Sequence, residues 1–100
     1  MTIYEVNIQG NGTVNVPIQG EYSNFFFISE RGTATAGNIA ANPIRHGFSA
    51  SSTASGSAVA DLASSGQQDT AVGGTGLIKS FDLVTTNANG SAKVVIHCLS

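Results

Sequence analysis

Charge is what this chain has least of. Four basic and six acidic side chains stand among 100 residues, far below the usual share of about a quarter. The net charge of −2 gives no basic footprint for DNA or RNA. It gives no polybasic patch for an anionic lipid surface either. Cysteine is nearly missing. Cys98 stands alone, so no disulfide can staple the chain to itself. Stability must come from a packed core or from association with other chains, and a reducing cytoplasm is the expected place of manufacture. No apolar run is long enough to cross a bilayer as a helix. Glu5 and Asn7 interrupt the first residues, so a cleaved export signal is not expected. A surface so poor in charge is unusual for a solitary soluble domain. Two readings compete: a neutral surface of Ser, Thr, Asn and Gln, or a surface largely covered by other subunits.

What is present is alternation. Tyr4, Val6 and Ile8 alternate with polar residues, and Val14, Val16 and Ile18 do so again after Asn11-Gly12. This spacing predicts short antiparallel strands, with Asn-Gly as a hairpin turn. Pro17 removes a ladder donor and places the second strand at an edge or at its own end. The third strand, from about Tyr22 to Glu30, carries Phe25-Phe26-Phe27-Ile28. Consecutive apolar residues point to both faces of a strand, so one face meets the core and the other meets a second layer or a partner. Arg31-Gly32 predicts a turn. Near the end, Leu77, Phe81 and Leu83 mark one strand, Asn87-Ala88-Asn89-Gly90 a further hairpin turn. Ala92, Val94, Ile96 and Cys98 then alternate with Lys93, Val95 and His97. Core candidates are Val6, Val16, Phe26, Phe81, Val94 and Ile96, with either Phe26 or its flanking pair inward.

Between these blocks the pattern weakens. Ile39, Ile44 and Phe48 suggest one or two short strands around Pro43. Residues 49–76 hold no aromatic side chain and are rich in Ser, Ala and Gly, as in a long loop or arm. A short helix over 57–63, with Ser57 as N-cap and Val59 and Leu62 facing in, is the alternative. Residues 49–68 are expected to take part in contacts between chains. The whole therefore reads as one domain, 1–100. The expected fold is all-β: a small antiparallel β-sandwich or jelly-roll-like domain with a loosely structured middle segment.

Motifs for chemistry are few. Gly73-Gly74-Thr75-Gly76-Leu77-Ile78-Lys79-Ser80 resembles a phosphate loop, yet Ile78 stands where the pattern requires Gly, and a strand follows instead of a helix. Asn11-Gly12-Thr13 and Asn89-Gly90-Ser91 match the glycosylation pattern, but turn chemistry accounts for both. His46, His97 and Cys98 have no metal-site spacing, and His97 and Cys98 would point to opposite faces of one strand. No Gly-x-Ser-x-Gly elbow marks a nucleophile. The sequence thus offers no catalytic, cofactor-binding or metal-binding residue, and a non-enzymatic role is expected.

The opening TIYEVNIQGNGTVNVPIQGEYSNFFFIS, the Ser/Ala/Gly/Thr-rich middle and the close FDLVTTNANGSAKVVIHC together resemble the small capsid decoration, or cement, proteins of tailed bacteriophages. The likeness is one of style across most of the chain, and it carries over no functional residue. It implies a virion structural protein that decorates or cements a capsid as a homo-oligomer. The implied partners are the major capsid protein or other virion proteins, with no nucleic acid and no membrane, and the implied location is the virion. The alternative is a small β-sandwich recognition module of a tail or fibre, binding carbohydrate or a host surface. The lack of Trp thins the aromatic platform that such a sugar site favours.

Overall fold

The computed structural model describes residues 2–33, 37–43, 57–62, 66–73 and 77–100. They form eight strands: β1 (Thr2–Gln9), β2 (Gly12–Pro17), β3 (Phe25–Thr33), β4 (Gly37–Pro43), β5 (Ser57–Asp61), β6 (Gln67–Val72), β7 (Ile78–Thr85) and β8 (Ser91–Cys98). Two antiparallel sheets result, in the orders β1-β8-β3-β6 and β2-β7-β4-β5. Every consecutive pair of strands except β4 and β5 changes sheet. This is the arrangement of an eight-stranded jelly roll.

That topology corrects the two expected hairpins. β1 does not pair with β2. It pairs with β8 from Thr2↔Cys98 to Gln9↔Ser91, so the two ends of the chain lie side by side. Asn11-Gly12 is a corner between sheets, and so is the turn Asn87–Gly90. The corner at Gly10 uses φ +77°, a left-handed conformation that costs glycine nothing. The two corners are tied together, since the Gly10 N–H donates to the Gly90 carbonyl at 2.9 Å. Local alternation reports that strands exist. It does not report which sheet each joins, because a tight turn can close a hairpin or arch across the core.

Other boundaries shift for identifiable reasons. β3 runs through Arg31-Gly32 instead of turning there, with an irregularity between Arg31 and Thr33 against β8. A side chain at Gly32 would collide with Ser91, so glycine marks a close approach between strands. The helix considered over 57–63 is strand β5, whose ladder with β4 includes Asn38↔Asp61 and Ala40↔Ala58. Leu62 is buried, as that reading required, but on a strand's exit. The described part of 49–76 holds β5 and β6, both at sheet edges. Such short, polar edge strands leave little hydrophobic pattern to read. His46, Phe48 and residues 49–56 lie outside the described residues.

The core sits between the sheets. Val16, Phe81, Val94 and Ile96 are buried, Val6 packs half-buried against them, and Phe25 and Phe27 rather than Phe26 face inward. The Phe81 ring from the second sheet meets Phe25 and Phe27 of the first edge-on, at centroid distances of 4.8 and 4.9 Å and angles of 89° and 87°. This is a favoured aromatic geometry. Phe25 and Phe27 lie nearly parallel, 6.5 Å apart, as neighbours on one strand face must. β2 is an edge strand with Pro17 at its end, where the missing donor costs least. Cys98 is fully buried. Burial holds its thiol above the usual range.

Two outcomes follow from this core. Phe81→Ala should lower the unfolding free energy by about 3–5 kcal/mol, whereas Phe26→Ala should cost less than about 1 kcal/mol. Urea midpoints of the two variants check this, and similar losses would mean that the outward ring is also part of the core. In the folded protein Cys98 should resist alkylation by iodoacetamide at mildly alkaline pH, and it should react once urea unfolds the chain. Ready labelling of the native protein would show that the β1–β8 seam opens easily.

Candidate functional site

The site with most to offer is the outer face of the first sheet. Register across the four strands places its residues in rows. One row is Ile3, His97, Phe26 and Ala71. The next is Glu5, Val95, Ile28 and Asp69. The third is Asn7, Lys93, Glu30 and Gln67. Each of these residues alternates with an inward neighbour, so strand parity alone sends it outward. Phe26, Ile28 and Val95 are half-buried and contiguous, and Ile3 beside them is 53% exposed. His97 lies against Phe26 with ring centroids 6.4 Å apart.

Charge rims this apolar field. Glu5 and Asp69 flank Val95 and Ile28 on the two outermost strands. Lys93 reaches Glu5 at 3.3 Å, with both side chains substantially exposed. An exposed pair of this kind adds little stability. The polar row forms part of an open depression of about 610 Å³, where Asn7, Gln9, Glu30, Gln67, Ser91 and Lys93 converge. Amides, a carboxylate and an ammonium can hydrogen-bond a partner there. No aromatic ring lines the depression.

The apolar character continues toward one end of the sandwich. Leu77 and Leu99 are 40% and 53% exposed. Both belong to the end where the segment 22–24 holds the neighbouring strands. There the Leu99 N–H donates to the Asn24 carbonyl at 2.9 Å, and the Ile78 N–H donates to the Tyr22 carbonyl at 3.0 Å. The Ser23 and Asn24 N–H groups donate to the Ser100 oxygen at 2.7 and 2.8 Å. The opposite end carries the two tied corners, with Gln9, Asn11, Asn87 and Asn89 as its polar side chains.

The outer face of the second sheet differs in kind. Asp82 on β7 accepts from Asn15 Nδ2 on β2 at 2.8 Å and from Asn42 Nδ2 on β4 at 2.9 Å. The Ser80 hydroxyl accepts from the same two amides at 3.2 and 3.1 Å. This network lashes the edge strand β2 and the strand β4 to β7 from outside. Its partners are 38 to 67 residues apart, so no local motif announces it.

Sequence candidates for chemistry are not brought together. His97 faces out and Cys98 faces in, and His46 lies outside the described residues. Ile78–Ser80 belongs to strand β7, so no helix N-terminus follows the glycines there. Among the described residues no group of three His, Cys, Asp or Glu side chains could hold a metal ion. The outer apolar face was legible as a parity effect of Phe25-Phe26-Phe27-Ile28 and of Val94-Val95-Ile96. Its acidic rim was not, because Glu5 and Asp69 meet it only through strand order.

No protein-family model matches the chain, and no curated protein matches it. Among solved structures it is similar to a chain from "Bacillus endospore appendages form a novel family of disulfide-linked pili". That alignment covers 99% of this chain and 90% of that one, at 13% identity and a TM-score of 0.49.

Proposed function

We propose that this chain is a non-enzymatic structural protein that works by docking, onto copies of itself and onto a larger protein shell. The specific form that the sequence resemblance implies is decoration or cementing of a bacteriophage capsid, with the major capsid protein as partner. The observation that carries the docking reading is the outward apolar patch of Ile3, Phe26, Ile28 and Val95, which spans two neighbouring rows of the sheet. A sandwich sheet that faces only water normally alternates apolar-in with polar-out. Full burial of a side chain of this size is worth roughly 1.5–3 kcal/mol relative to exposure. Ile3 has most of that to gain and the half-buried Phe26, Ile28 and Val95 a part of it, so covering the patch provides a driving force. The edge strands β1, β6, β2 and β5 add backbone groups with a ladder partner on one side only among the described residues.

Low charge supports the same reading. Few charges need to be desolvated when the surface is covered, and neutral amides and hydroxyls lose less on burial than ions do. Many weak attachments summed over a shell give firm retention. A protein that binds only the assembled state stabilises it by mass action.

Particles made without the protein should assemble, yet release DNA at a lower temperature, and added purified protein should restore them. The paired variant Phe26→Ser, Val95→Ser should keep its fold by circular dichroism and lose most of its occupancy on particles. A wild-type protein that never sediments with particles, or that binds a glycan tightly as a monomer in a glycan screen, would overturn the capsid reading.

A further inference from the structure

We infer that the corner Asn11-Gly12 is a site of spontaneous deamidation, and that the chemically identical dipeptide Asn89-Gly90 is protected by the fold. The proposal is independent of the docking reading above. In the reaction the Gly12 backbone nitrogen gives up its proton and attacks Cγ of Asn11. The bond from Cγ to the side-chain nitrogen breaks and ammonia leaves, closing a succinimide ring. Water then opens the ring at either carbonyl, leaving an aspartyl or isoaspartyl residue. One water is consumed, one ammonia is released, and nothing is oxidised or reduced.

Two requirements decide whether this happens: a free side-chain amide and a following nitrogen that can reach it. Asn11 is exposed and has no side-chain partner among the described residues. Gly12 is the terminal residue of the edge strand β2, paired with Thr85 at the last position of the ladder. No atom stands within 4 Å of where its Cβ would lie, so backbone excursions meet no neighbour. Strand ends at an edge open at low free energy.

Asn89 is also exposed, but its surroundings are fixed. The Gly90 N–H donates to the Asn87 carbonyl at 3.0 Å, and the Gly90 carbonyl accepts from Gly10 at 2.9 Å. The Asn89 N–H donates to Asn87 Oδ1 at 3.0 Å. Gly90 itself is buried. The attacking nitrogen is therefore engaged, and freeing it requires breaking the turn. Deamidation at position 11 places a new carboxylate among the neutral side chains Gln9, Asn87 and Asn89, in a chain whose net charge is only −2. It gives an ageing protein a marked end.

The test is incubation of the intact protein at neutral pH and body temperature, followed by peptide mass spectrometry at both positions. Position 11 should convert at least about tenfold faster than position 89, the ratio that about 1.4 kcal/mol of extra opening free energy produces. In concentrated urea the two rates should converge, since both dipeptides are Asn-Gly. Asn11→Gln should abolish the fast component and leave position 89 unchanged. Equal rates in the folded protein, or faster conversion at position 89, would overturn the proposal.

Discussion

The Phe81 ring stands edge-on to both Phe25 and Phe27, and this contact sets the parity of the strands around it. Once Phe25 and Phe27 face inward, Phe26 and Ile28 must face outward, because side chains along a strand alternate. β8 pairs with β3 at Phe25↔Cys98 and Phe27↔Ile96, so Val94, Ile96 and Cys98 are inward and Lys93, Val95 and His97 outward. β1 inherits the same phase through Tyr4↔Ile96 and Val6↔Val94. A slip of one residue in any pairing would invert a whole strand. The buried aromatic cluster opposes such a slip, since it would turn Phe25, Phe27 and Ser29 outward and bring Phe26, Ile28 and the charged Glu30 inward. The outward phase of these positions is thus a consequence of the core, and Phe26, Ile28 and Val95 standing there are what make the outer face apolar.

The strands around this cluster were legible because alternation is local. Val14 and Val16, or Val94 and Ile96, announce a half-buried strand within a few residues. Phe81 likewise reads as core from its own surroundings. The connections were not legible. Asn11-Gly12 carries the same turn chemistry whether it folds a strand back on itself or lifts it to the opposite sheet. What decides is the pairing of β1 with β8, residues separated by almost the whole chain. The same holds at the edges: β5 and β6 owe their strand form to ladders with β4 and β3, not to a pattern of their own. Ser57-Ala58-Val59-Ala60 satisfies helix and strand equally well in isolation, and the ladder to β4 chooses.

The candidate site divides along the same line. That one of the phenylalanines would turn outward followed from their being consecutive. That the outward ring joins Ile3 and Val95, and that Glu5 and Asp69 bound them, depends on the strand order β1-β8-β3-β6. The second outer face makes the contrast sharper. Asp82 there is held by two asparagine amides, one from each neighbouring strand, so its charge is answered within the sheet. One face ties Asn15, Asn42, Ser80 and Asp82 to one another. The other leaves apolar groups without a covering layer among the described residues.

Scarcity of charge connects these features. A monomer surrounded only by water gains solubility from many mixed charges, while a surface destined for contact is burdened by each ion it must desolvate. Here the few ions of the first outer face sit around the apolar field, where Glu5, Asp69 and Glu30 remain close to solvent. Rim charges of this kind influence encounter and orientation more than final affinity. In the proposed docking the centre of the face would supply the burial that holds a partner, and its rim the direction of approach. Neither task requires a reactive group. Among the described residues the phenylalanines divide between the core, at Phe25, Phe27 and Phe81, and one outward ring, Phe26, and the proposed docking rests on that division.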